Sequence, residues 1–173
     1  MENAFVTRSA KILSAKIMHL GVQSVPPLLF LFAVEYSARK YWLSTRNRII
    51  LWIIPIITTL LVFTNEYHGL IWTNILPLEE VGSQFLVYTH GIGFWISTLY
   101  HYFLIFIASV LLIVGSKERK PKRQFWQISV ILLALAIAWG VNIAYILGIT
   151  PVPGLDLTPI AFTVTISLVS LAV

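Results

Sequence analysis

Apolar runs long enough to cross a bilayer recur along the chain and are separated by short polar segments. A membrane-crossing helix needs about 17 to 25 mostly apolar residues. Five runs approach or meet that length, at about 17–36, 49–65, 93–115, 125–148 and 159–173. The pattern predicts an all-α, polytopic transmembrane bundle of about five helices. Crossings and short connections use up nearly the whole length, so residues 1–173 are expected to form a single domain.

Proline and glycine punctuate these runs. Pro26 and Pro27 interrupt the first span and Pro55 the second. Each removes a backbone donor and crowds the preceding turn, which predicts kinks and makes these helices candidate flexing points. The connection from Glu66 to Ile92 is too long for a tight turn and contains apolar stretches that suit the membrane interface. Thr158 followed by Pro159 predicts a helix start, with the threonine as cap and the proline at the first helical position. From Pro159 only about 15 residues remain, reaching about 22 Å against a hydrocarbon core of about 30 Å. The expectation is therefore that this sequence is the front part of a longer protein.

Composition narrows the class. With 58% hydrophobic residues, 11% charged residues and a mean hydropathy of +0.85, too little polar surface exists to cover a water-soluble globule. The net charge of +5 sits in short loops, which excludes a nucleic-acid reading and speaks for orientation. Segment 37–48 holds Arg39, Lys40, Arg46 and Arg48 without an acid, and segment 117–123 holds five basic residues beside Glu118. Both are expected on the cytoplasmic side. The Glu66–Ile92 connection and Asp156 then face outward, and the N-terminus lies outside. Cysteine is absent, so disulfides and thiolate chemistry are excluded.

Few polar residues interrupt the spans. Asn142 and Tyr145 are three positions apart, hence on one helix face, where an amide in lipid needs a partner. Asn65, His68 and Trp72 leave the second span and Trp95 begins the third, so these six residues are the candidate ligand-binding set toward the outer half of the bundle. For each of them singly, interfacial anchoring or helix pairing is the simpler role. Glu35 is expected to pair with Arg39 one turn later. His19 and His101 lie on different crossings, as a haem clamp would require, but the spans put them at different depths. His68 and His90 share the outer connection with three glutamates at no metal-binding spacing. No nucleophile elbow, phosphate loop or metalloprotease helix occurs, so neither catalysis, nor a metal, nor a cofactor is expected of this chain.

Five pieces stand in a specific order: Pro26-Pro27 with Phe32 to Arg39; Pro55; Thr64 to Trp72; Gly93-Phe94-Trp95; and Pro153 to Phe162. Together the chain resembles the N-terminal seven-transmembrane sensor region of prokaryotic histidine kinases, beginning after that family's first two helices. The resemblance implies a sensory membrane module in a two-component system. Its last helix would lead into a cytoplasmic histidine kinase or diguanylate cyclase domain. Ala38 stands where the family pattern has glycine, and His101 stands in an aromatic stretch where the pattern does not lead one to expect histidine. The expected partners are lipid and a signalling domain in the same parent chain or other membrane subunits, with homodimerisation left open and no nucleic acid. The competing class is a structural or cofactor-holding subunit of a membrane complex.

Overall fold

A computed structural model describes residues 8–77, 86–118 and 122–149, with 157, 158, 160, 161, 163, 164 and 167 beyond them. The order is α1 (Arg8–Tyr36), a 3-10 turn (Lys40–Trp42), α2 (Thr45–Phe63), α3 (Asn65–His68), β1 (Trp72–Pro77), β2 (Leu86–His90), α4 (Ile92–Glu118) and α5 (Lys122–Ile146). Among the described residues α1, α2, α4 and α5 are long and apolar enough to cross a membrane. The all-α, multi-pass reading therefore holds, with a two-stranded hairpin as a minor addition. Most of the fifth expected span, Pro159 included, lies outside the described residues.

All four long helices begin before the apolar stretches that predicted them. The 29 residues of α1 reach about 43 Å, more than the hydrocarbon thickness, so its first two turns project beyond it. Helical hydrogen bonds close within the segment itself and do not stop at the boundary that ends the apolar run. Along α2, Ile49, Ile53, Ile56 and Leu60 stay exposed, a face suited to lipid.

The chain divides into two compact units, Met1–Leu111 and Leu112–Val173. In the first, α1 packs antiparallel to α2, and α4 joins them through side-chain bonds. Pro26, Pro27 and Pro55 are fully buried inside continuous helices. Pro55 has no N–H to give to the carbonyl of Leu51, four residues earlier. The Tyr100 hydroxyl of α4 donates to that oxygen at 2.7 Å, so the gap in one helix is filled from another.

Helix α1 ends in a Schellman turn: Arg39 N–H donates to Val34 O and Ala38 N–H to Glu35 O, both at 3.1 Å. Ala38 occupies the left-handed position, with φ +57°. This turn overturns the expected Glu35–Arg39 ion pair. The helix stops before Arg39, whose guanidinium donates to the Ser37 carbonyl instead. Helix α2 opens with Ser44 as cap, its hydroxyl accepting from Asn47 N–H at 3.3 Å.

The Glu66–Ile92 connection, expected to be too long for a tight turn, has regular structure of its own. It holds the short α3 and an antiparallel β1–β2 hairpin in which Asn74 faces Thr89 and Leu76 faces Val87. A bulge between Trp72 and Asn74 accommodates Thr73, whose hydroxyl donates to Thr89 O. Pairing satisfies the backbone of a segment that lies against the bundle end, which an open loop would leave to water.

In the second unit, α5 closes on Gly148 at φ +70°, with Gly148 N–H donating to Tyr145 O and Ile149 N–H to Ala144 O. Thr158 is already helical, and Ala161 N–H donates to Leu157 O, so the start falls one residue earlier than expected. The Thr158 hydroxyl accepts from the Asn142 amide at 3.4 Å.

Candidate functional site

The hairpin is seated on the first unit by three separate fastenings. Asn65, buried at the start of α3, accepts from Ile71 N–H at 2.9 Å and Trp72 N–H at 3.0 Å while its amide donates to Trp72 O at 2.9 Å. One side chain thus imitates a strand partner and fixes where β1 begins. At the other end, Gly91 N–H donates to Ile71 O and Gly93 N–H to Leu70 O. A Cβ at Gly91 would collide with Leu70 O and come within 2.8 Å of Gly69 O, so only glycine permits this approach.

The third fastening is electrostatic. Lys16 of α1 donates to both carboxylate oxygens of Glu66, at 2.6 and 2.8 Å, and to the carbonyl of Phe63 at 3.0 Å. A cation on the last carbonyls of α2 is favoured by the helix dipole. Lys16 is 10% exposed and Glu66 59%, so the pair straddles the edge of the bundle. The hydrogen bonds from Lys16 hold the Glu66 carboxyl below its usual range.

Beneath the hairpin lies an aromatic and imidazole cluster. Trp72 is buried, edge-on to His19 at 5.4 Å and tilted against Tyr88 at 5.2 Å. His90 stacks on Phe94 at 3.8 Å and meets Trp95 edge-on at 6.2 Å. Burial pushes the His90 imidazole below its ordinary pKa. His19 is within electrostatic reach of both His90 and His101. His101 is 5% exposed, and its Nε2 has no hydrogen-bond partner among the described residues. One turn away, buried Ser97 donates to Gln23 Oε1 at 3.2 Å, linking α4 to α1.

Ser97 of α4 meets Gln23 of α1, and His101 lies four residues after Ser97 whereas His19 lies four before Gln23, so the two histidines stand on opposite sides of that bond along the helices. Among the described residues no group of three His, Asp or Glu residues could hold a metal ion.

Of the six expected ligand-binding residues, Asn65, His68, Trp72 and Trp95 gather at the hairpin end of the first unit. Asn65 is spent on backbone, and His68 is an exposed local brace between Thr64 Oγ1 and Leu70 N–H. Trp72 and Trp95 border the imidazole cluster. Asn142 and Tyr145 belong to the second unit, on α5. Sequence reasoning passed over Lys16, Gln23, Tyr88, Gly91 and Ser97. A signal existed for the hairpin, since two short runs rich in Thr, Ile, Val and Tyr flank a segment containing Gly82.

A family model described as the N-terminal 7TM region of histidine kinase matches residues 1–173. The chain belongs to that family. No curated protein and no solved structure matches it. Within this histidine-kinase 7TM region, the hairpin, its fastenings and the imidazole cluster make up the candidate site. It is a multi-pass membrane protein of the sensor type, built from long apolar helices.

Proposed function

We propose that this sensor region receives its stimulus at the hairpin end of the first unit and relays it through α4 toward a cytoplasmic kinase or cyclase domain of the same parent chain. The observation that carries the reading is covalent continuity. Helix α4 starts at Ile92, two residues after the hairpin ends at His90, and runs without interruption to Glu118 beside the basic segment. A displacement of the hairpin is thereby a displacement of the start of a continuous helix about 40 Å long. A stimulus must favour one seating of the hairpin over another, because a ligand shifts an equilibrium only by its differential affinity. Trp72 and Trp95, with the His101 Nε2 that has no hydrogen-bond partner among the described residues, supply the apolar body and polar group such a ligand would use. The chain itself is assigned no catalytic step.

The excess basic charge of segment 37–48 supports a topology with that segment inside and the hairpin outside. The test uses the absence of native cysteine. Thr73→Cys on β1 should react with an impermeant thiol reagent added to intact cells, and Ser44→Cys should react only after lysis. The reverse pattern would remove the hairpin from the stimulus side.

A further inference from the structure

At the opposite end of the first unit, between α1 and α2, lies a groove of about 260 Å3. Phe30, Leu31, Ile50 and Leu51 form its apolar floor, and Trp42 and Arg48 stand at its mouth. Phe30 is about six residues before the end of α1 and Leu51 about six into α2, so the floor lies about 9 Å below the helix ends, at hydrocarbon depth. Arg48, three residues into α2, lies at headgroup level. The wall is fixed in place: Asn47 donates its amide to Trp42 O at 2.9 Å, and Tyr100 holds Leu51 O.

Charge at the mouth is uncompensated. Lys40, Arg46 and Arg48 are exposed and make no ion pair among the described residues, and residues 37–48 contain no acid. A tryptophan and an arginine above an apolar slot match the order of groups along a phospholipid, and an anionic headgroup complements the charge. The geometry points to a binding site for an anionic phospholipid, with one acyl chain in the groove and the headgroup phosphate on the Arg48 guanidinium. A soluble phosphate would meet the arginine but leave the apolar floor uncovered. Arg46, outside the groove lining, contributes only to the general surface charge.

The experiment places the full chain in nanodiscs of phosphatidylcholine with increasing phosphatidylglycerol, one of the two lipids carrying brominated chains. The readout is quenching of Trp42, obtained by subtracting the signal of Trp42→Phe. In the unmodified chain, brominated phosphatidylglycerol should quench Trp42 at a mole fraction about tenfold lower than in Arg48→Gln, as loss of a charge-assisted bond implies. Arg46→Gln should behave as the unmodified chain. Ile50→Phe, which fills the groove at a lipid-facing position and keeps the charge, should also lose the selectivity and covers the case in which Arg48→Gln does not fold. Equal quenching by both lipids, or equal losses in Arg46→Gln and Arg48→Gln, would overturn the site. Displacement of the lipid by millimolar inorganic phosphate would overturn it in favour of a soluble anion.

Discussion

The hydroxyl of Tyr100 sits 2.7 Å from the carbonyl oxygen of Leu51, the oxygen whose helical donor is missing because residue 55 is proline. A proline in one membrane helix is thus matched by a tyrosine in another. Removing the hydroxyl in Tyr100→Phe should cost about 1–2 kcal/mol, since the carbonyl then has no donor in an apolar setting. With Pro55→Ala the helix supplies its own N–H, and the same Tyr100→Phe change should cost much less. Equilibrium unfolding in mixed micelles of the two single variants and the double variant measures this coupling. Equal costs in both backgrounds would show that the bond is incidental.

The Schellman turn at the end of α1 asks for glycine and has Ala38 at φ +57°. A left-handed alanine costs about 1 kcal/mol that glycine does not. Ala38→Gly should therefore stabilise the chain by somewhat less than that, because glycine also gains freedom in the unfolded state. A rise in thermal midpoint in detergent checks the sign.

Much of this was legible in the sequence, and the exceptions share a cause. Long apolar runs identify a membrane helix through a bulk property, so α1, α2, α4 and α5 were recognisable at once. Ala38 too was marked by the family pattern before its backbone angle was known. The hairpin was missed because its seating depends on the Asn65 clip, a side chain standing in for a strand partner, and on the Gly91 contact with Leu70 across the whole hairpin, neither of which a strand pattern displays. The Asn142 partner, Thr158, was read as a cap through local grammar alone, and its hydroxyl turns out to accept from α5.

Gly91 offers a sharper test of the hairpin. An added methyl group must displace the Leu70 and Gly69 backbone, which has no flexible end to yield. Gly91→Ala should cost about 2–3 kcal/mol or release the hairpin. Hydrogen exchange at Ile71, Trp72 and Gly91 should accelerate, while amides in the middle of α2 stay protected. Uniform acceleration would mean that the hairpin and helices unfold as one.

Acid should loosen the hairpin in two steps. Burial lowers the His90 pKa and Lys16 lowers that of Glu66. In both cases the unfolded chain takes up its proton first as pH falls, so each contribution is present above the unfolded pKa and is lost on acidification. The His90 share begins to fall below about pH 6.5, and the Glu66 share below about 4.5. Solvent at the exposed carboxylate keeps the second step small. His90→Asn should flatten part of the first slope and Glu66→Gln the second, measured as hairpin exchange rates against pH.

The most direct measurement of hairpin control is autophosphorylation, in nanodiscs, of this region joined to the kinase domain proposed to follow it, comparing the unmodified protein with Asn65→Ala. Hydrogen exchange on the same samples reports whether the hairpin is released. Asn65 makes three bonds to β1 and its approach and touches no output domain within this region. If hairpin seating sets the signalling state, its loss shifts the population and basal autophosphorylation changes by at least about threefold in either direction. A released hairpin with unchanged autophosphorylation would contradict the account.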